Sequence, residues 1–233
     1  MGFTKDGELR RVRFSKRIGK DCMMKKTLLA VLAALAMAGA VQAGLVSDEP
    51  GEFAVQGQYW FPGEGDFNLF DAAYGAQVSW REWVAFPFGM TLSAGVAQWQ
   101  ADSGATAYKF RYLDDFDGDV TLIPLGLSLA YCPIDWNNWD LILETGLHYV
   151  LVDSSVDCRN KNDGTRHEID MDNAIWWTTG AEFDYQFAEG AFFVCGAGVQ
   201  VDVLKAESEY DLGELRDTRF QAFYAKAGLK FLF

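Results

Sequence analysis

Six charged residues carry the first hint of chemistry: Arg81, Glu144, Glu182, Asp184, Lys226 and Lys230. Each shares its sequence parity with Gly, Ala, Ser, Thr or Gln and alternates with apolar neighbours. If those stretches are strands, the six side chains meet on one common face. Two carboxylates held side by side raise a carboxyl pKa unless a cation stands between them. Pairing of the stretches 141–151 and 177–187 through the segment 153–173 is expected to set Glu144 opposite Glu182. Lys226, Lys230 and Arg81 then reach across to neutralise them. Charges enclosed in a narrow interior must be paired, so a salt-bridged plug is expected. A gated path for protons or small ions is the functional alternative.

Acyl transfer would need a nucleophile activated by a base. Beyond residue 43 the histidines are His148 and His167. Ser128 shares the face of His148. A short turn between the stretches 123–131 and 141–151 is expected to set Ser128 opposite Glu144 and Pro124 opposite His148. At about 3.4 Å per residue Ser128 would then lie roughly 13 Å from His148, beyond hydrogen-bond reach. His167 has Glu168 and Asp170 beside it but no marked nucleophile, which reads as a solvated loop histidine. Asp114, Asp115, Asp117 and Asp119 crowd one loop, and Asp115-Phe116-Asp117-Gly118-Asp119 resembles a calcium loop, yet Gly126 stands where an EF-hand needs its glutamate. Glu207, Glu209, Asp211, Glu214 and Asp217 form a further acidic stretch and read, like the first, as solvated loop. The cysteines, Cys22, Cys132, Cys158 and Cys195, form no CxxC or Cys/His cluster of zinc spacing. No catalytic, cofactor-binding or metal-binding residue is expected.

The elements that must position these residues follow from the rest of the chain. Of 233 residues, half are hydrophobic, and the formal charge is −13. Residues 44–233 hold 11 basic and 30 acidic residues. A chain this acidic is a poor partner for a phosphate backbone, which excludes nucleic-acid binding. At the N-terminus Lys25 and Lys26 precede an apolar run from Leu28 to Ala40, then Val41-Gln42-Ala43. That pattern reads as a secretory signal peptide over 23–43, with cleavage expected between Ala43 and Gly44. The apolar run is shorter than the roughly 20 residues of a membrane-spanning helix. Residues 1–22 are polar and basic, and Met23 and Met24 stand where a start is expected, so 1–22 reads as a mis-assigned leader.

From residue 44 onward, period-two alternation recurs where helical spacing does not. Eight strands are expected, over 53–61, 76–81, 90–97, 123–131, 141–151, 177–187, 193–203 and 223–233. The segments around 62–70, 100–118, 153–173 and 204–218 are long and polar; those around 83–89, 132–139 and 188–190 are short. Long loops at one end and short turns at the other describe an up-and-down antiparallel meander. One face carries Phe, Leu, Val and Trp, and the other mixes small and polar residues with the charges. In a soluble lipocalin-like barrel, binding a small apolar ligand, the apolar face would point inward. In a membrane barrel it points to lipid. Strands long enough to span a bilayer when tilted, and aromatics at strand ends, favour lipid. Tyr59, Trp60, Phe61, Trp80, Trp83, Phe86, Phe88, Tyr131, Trp136, Trp139, Tyr149, Trp176, Trp177, Tyr185, Phe187, Phe192 and Phe193 are expected in the interfacial girdles.

The chain ends with Lys226, Gly228, Phe231 and Phe233 in a spacing that resembles the assembly signal of bacterial outer-membrane barrels. Val120, Leu122, Pro124, Leu125, Leu127 and Tyr131 loosely resemble the same group. The resemblance extends over residues 44–233 and is to the small eight-stranded barrel families, those of outer membrane proteins A, X and W and the opacity-type surface antigens. It implies an all-β, eight-stranded transmembrane barrel in the bacterial outer membrane, in contact with lipid, lipopolysaccharide and the barrel-assembly machinery. These families include anchors, adhesins and lipid-modifying enzymes, so the fold leaves activity open. The expected role is structural or surface-interacting, through acidic outer loops, with a lipid-modifying enzyme as the alternative.

The same strand map places Cys132 and Cys158 at opposite ends of the barrel and Cys195 on the lipid face, on a strand not adjacent to that of Cys132. Quantitative thiol labelling of the unfolded, unreduced mature chain is therefore expected to count three thiols; a count of one would overturn the map.

Overall fold

Strict alternation of large apolar with small or polar residues forces a sheet whose two faces seek different surroundings. The computed structural model describes residues 50–62, 70–101, 113–204, 206–210, 213–218 and 220–233. The proposed leader, the signal peptide and the Ala43–Gly44 junction lie outside the described residues, as does Asp211. The described residues form thirteen strands: β1 (Glu52–Pro62), β2 (Phe70–Ala85), β3 (Phe88–Ala101), β4 (Leu113–Asp117), β5 (Asp119–Trp136), β6 (Trp139–Ser154), β7 (Val156–Asn160), β8 (Arg166–Met171), β9 (Ala174–Ala188), β10 (Ala191–Leu204), β11 (Ala206–Tyr210), β12 (Gly213–Thr218) and β13 (Ala222–Leu232).

Eight of them close a barrel in the order β1-β13-β10-β9-β6-β5-β3-β2. These are the eight strands read from the sequence, in an antiparallel meander closed by β13 against β1. Seven of the barrel strands extend to or beyond the reach of their alternation patterns, and β13 stops one residue short, at Leu232. Tight turns join β2 to β3, β5 to β6 and β9 to β10. Asn137 and Gly190 take the left-handed conformation there (φ 53° and 69°), which Asn tolerates and Gly adopts freely.

The apolar face points outward. Leu129, Leu147, Phe193 and Phe223 are 61%, 54%, 54% and 64% exposed, while Asp184, Glu182 and Lys230 are almost fully buried inside. This orientation excludes the soluble barrel, which requires Leu229 inside; Leu229 is exposed. Aromatic pairs ring the short-turn end: Phe88 with Tyr131 (centroids 5.1 Å), Trp139 with Tyr185 (4.3 Å) and Phe187 with Phe193 (4.3 Å). Tyr59, Tyr74, Tyr149 and Trp177 are exposed toward the other end. Along β6, Trp139 and Tyr149 are separated by about 25 Å of height at the usual strand rise and tilt, which matches the apolar band of an outer-membrane barrel.

Not every expected girdle residue lies there. Trp60, Trp83, Trp176 and Phe192 point into the lumen, and all four are buried. Their parity with Gln56, Arg81, Thr178 and Val194 already places them on the inward face. Trp80 keeps the outward parity but is covered by Phe233, with ring centroids 6.3 Å apart. Ile123, expected among the outward apolar residues, is also buried.

The long loops are not simply solvated. Strands β12, β11, β8, β7 and β4 form a second sheet in that order. Its apolar side chains Phe116, Val156, Cys158, Ile169 and Met171 join one buried cluster with Trp99, Val120, Leu122, Val150 and Trp176 of the barrel. The sheet is therefore a cover over the long-loop end. Gly118, at φ 119°, brings the chain against Ser155, where a Cβ would strike the Ser155 carbonyl oxygen. Burial beside Asp157 pushes the Cys158 thiol up.

Closure depends on a close backbone approach at Gly228, which pairs with Gln56. A Cβ at residue 228 would come within 2.7 Å of the Gln56 Cα. Gly228→Val is expected to destabilise the barrel by about 1–3 kcal/mol, read as a lower urea midpoint. Gly57→Ala, where a Cβ meets only ordinary contact, should leave the midpoint in place. An unchanged midpoint for Gly228→Val would refute the β1–β13 register.

Candidate functional site

The inward face of the barrel gathers its charges in the half nearest the short turns. Arg81 on β2 lies across the lumen from β6 and β9. Its Nη1 donates to Glu52 (2.8 Å), and its Nη2 donates to Glu144 (2.7 Å) and Glu182 (2.8 Å). Lys226 pairs with Glu144 (2.9 Å) and with Glu182. Lys230 pairs with Glu52 (3.0 Å) and with Asp184. All six lumen charges named from the sequence thus lie in one set of ion pairs. Glu52, which begins β1 and has little alternation before it, is the member that sequence reasoning missed.

Neutral groups complete the set. Gln56 Nε2 donates to Glu182 (3.0 Å), Thr91 Oγ1 to Glu144 (3.0 Å) and Trp83 Nε1 to Glu52 (2.7 Å). Lys230 Nζ also stands 4.7 Å from the centre of the Phe192 ring, a cation–π distance. Thr91, Gln56 and Trp83 are all legible in the sequence as inward-parity residues.

The register differs from the expected one. Glu144 pairs with Gly180 and Glu182 with Ile142, so the two carboxylates are offset by two residues and Arg81 and Lys226 both fit between them. On the other side of β6, Ser128 pairs with Gly146 rather than Glu144, and Pro124 with Val150 rather than His148. The turn falls at Asn137-Asn138, and a bulge between Tyr131 and Ile134 shifts the ladder. Ser128 is therefore diagonal to His148 and nearer than the expected spacing. His148 Nε2 nevertheless lies 3.0 Å from Thr178 Oγ1.

Above the charges is a small cavity of about 40 Å³, lined among others by Gln58, Gln77, Ser93, Ser128, His148 and Thr178. That volume suits about three waters. Above it the lumen turns aromatic. Trp60 donates to Gln200 (3.0 Å). Phe220 packs among Phe70, Trp99 and Trp176, with centroids at 5.4, 5.4 and 6.0 Å. The lumen thus has a charged lower layer, a polar middle with a small cavity and an aromatic top.

The other sequence candidates lie in the cover. His167 Nε2 lies 2.8 Å from Thr165 Oγ1, and Asp163 accepts from the backbone N–H (2.9 Å) and hydroxyl (2.6 Å) of Thr165. Those two bonds hold the exposed Asp163 carboxyl below its ordinary range. Glu168 and Asp170 are exposed on β8. In the calcium-like stretch, Arg166 reaches Asp115 (3.1 Å) and Asp117 (4.0 Å), Asp119 accepts from Gln98 (3.1 Å), and Phe116 is buried between them in sequence. Among the described residues no group of three or more His, Cys, Asp and Glu side chains converges as a metal site.

The ion pairs make a double-mutant test direct. Lys226→Met leaves Glu144 and Glu182 to share Arg81, and removing one partner of a buried pair costs about 3–5 kcal/mol. Adding Glu182→Gln should recover most of that loss in urea unfolding. Two losses that simply add would refute the coupling.

No protein-family model and no curated protein sequence matches the chain. Solved structures do. A major outer membrane protein from Thermus thermophilus superposes with a TM-score of 0.52 at 17% identity, over 78% of this chain and 99% of that one. Neisserial surface protein A (NspA) matches at a TM-score of 0.47 and 8% identity, over 78% and 96% of the two chains. The N-terminal β-barrel domain of Pseudomonas aeruginosa OprF matches at 0.41 and 16%, over 79% and 98%. The first of these, together with the closed ring of eight meandering strands and the outward apolar band, identifies the chain's fold as that of the small eight-stranded outer-membrane β-barrels.

Proposed function

We propose that the chain is an outer-membrane barrel of a Gram-negative-type bacterium, without enzymatic activity, that acts as a structural or surface-interaction protein. The observation that supports this reading is the pairing of a girdled apolar exterior with a lumen crossed by ion pairs and filled above them by aromatic rings. An interior filled by side chains is no general pore. What remains free to meet partners is the outer cover, whose exposed acids include Asp115, Asp117, Asp163, Glu168, Asp170 and Asp172. An acidic outer surface suits a lipopolysaccharide layer whose phosphates are bridged by divalent cations.

The rest of the reading belongs to biogenesis. Cleavage between Ala43 and Gly44 would release the barrel to the periplasm. Lys226, Gly228, Phe231 and Phe233 would present the closing strand to the barrel-assembly machinery. Both ends of the barrel chain would face the periplasm, with the short turns.

Membrane fractionation with an unheated-versus-boiled gel shift tests location, and planar-bilayer recording tests the plug. The expected result is outer-membrane recovery, heat-modifiable mobility and no sustained conductance. Recovery in the soluble periplasm without a shift would overturn the membrane reading. Steady open channels from the wild-type barrel would overturn the plug alone.

A further inference from the structure

Among the described residues, the aromatic top of the lumen contains two buried donors without acceptors, whereas the unpaired atoms of the charged layer, Gln56 Oε1 and Asp184 Oδ1, are acceptors. Trp99 and Trp176 are almost fully buried, and the indole Nε1–H of each finds no acceptor among the described residues. A buried donor without a partner costs about 1–3 kcal/mol, so two in one cluster call for an explanation. Trp176 also lines the polar cavity below.

The ring between them is unlike the other walls. Phe220 belongs to no strand; it precedes β13 at the end of the last long loop. It stacks on Phe70 (interplanar angle 19°) and stands edge-on to Trp99 (87°). Its backbone is held by two side-chain hydrogen bonds, from its N–H to Asp202 Oδ2 (2.9 Å) and from Gln200 Nε2 to its carbonyl (2.7 Å). Phe70, Trp99 and Trp176 stand on β2, β3 and β9, inside the ladder. A loop residue held by two bonds therefore fills a box whose other walls are fixed.

We propose that this box is a ligand site occupied by the chain's own Phe220, and that its ligand is a small planar aromatic molecule bearing a hydrogen-bond acceptor. The ligand's ring takes the place of the Phe220 ring against Phe70 and Trp99. Its acceptor takes the indole N–H groups that Phe220, a hydrocarbon, leaves unpaired. Ring-for-ring exchange keeps the packing, and the hydrogen bonds supply the preference for ligand over Phe220. The inference goes beyond the closed-barrel reading without opening a pore, because the ion pairs below the cavity stay in place. Occupancy depends on the fraction of molecules with Phe220 displaced, so removing the Phe220 ring should raise apparent affinity.

The test uses the folded barrel in nanodiscs with ¹⁵N-labelled tryptophan, its indole resonances assigned by single Trp→Phe variants. Acetophenone is the probe, and ethylbenzene, of similar shape but without an acceptor, is the comparison. The expected result is a saturable shift of the Trp99 and Trp176 indole resonances with acetophenone, absent with ethylbenzene. Trp177, exposed to lipid, reports partition into the bilayer. Phe220→Ala should bind acetophenone about tenfold more tightly, and Phe220→Leu serves the same purpose if the alanine variant loses its heat-modifiable gel shift. Equal shifts with both compounds, or shifts confined to Trp177, would overturn the proposal. So would indole signals that contact only water and do not move with acetophenone in wild type or variants. These outcomes are independent of fractionation and conductance, which test the barrel reading itself.

Discussion

Charges enclosed in a lumen too narrow for bulk water must find their partners inside the ring. Here that constraint binds β1, β2, β6, β9 and β13 through Glu52, Arg81, Glu144, Glu182, Asp184, Lys226 and Lys230. Arg81 alone reaches three carboxylates, two of them on strands that are not its neighbours in the barrel order. Two of the three cations sit on β13, the strand that closes the ring. Without β13, four carboxylates would share one arginine. The closing strand therefore completes the backbone ladder and neutralises the interior in one step. Its inward positions are correspondingly constrained: Lys226 and Lys230 supply charge, and Gly228 between them permits close contact with β1.

The two layers of the lumen are held together by different physics. The lower layer is electrostatic, and a buried ion-pair network is often no more stable than an apolar one of the same volume. The upper layer is hydrophobic and non-directional, built from rings that share one buried cluster with side chains of the loop sheet. The loop sheet repeats the barrel's alternation at smaller scale. On β8, Ile169 and Met171 turn down into the cluster while Glu168 and Asp170 face solvent. A surface that is acidic outside thus needs no apolar exposure to hold its loops in place.

The period-two pattern makes the eight barrel strands and their facing legible, because parity survives small errors in boundary. The same pattern also marks the inward aromatics. Trp60, Trp83, Trp176 and Phe192 share parity with inward residues, although their grouping at strand ends suggests the girdles instead. Register is not legible. A bulge and a turn placed at Asn137-Asn138 move Ser128 from Glu144 to Gly146. The pairing of β6 with β9 passes through a long loop, which fixes no register from sequence. Phe220 is hidden for another reason: it is a single ring outside any strand, where no alternation marks it. Phe116 sits on the five-residue β4, and the loop strands are too short, with partners in other loops, for their alternation to stand out in the sequence.

The division of the lumen also limits where function can reside. His148 and Thr178 are within hydrogen-bond distance, but they face a cavity with room for a few waters, below a buried aromatic layer and above a charged one. The charged layer resists opening because moving any one strand leaves a partner unpaired: Arg81 cannot leave Glu144 without leaving Glu52 and Glu182 short of their shared cation. The aromatic layer lacks that mutual lock. The Phe220 ring meets its neighbours through faces and edges alone, while its backbone is held by two hydrogen bonds, to Asp202 and from Gln200. Ring exchange is therefore easier to accommodate in the upper layer than in the charged one, where each cation is shared between carboxylates.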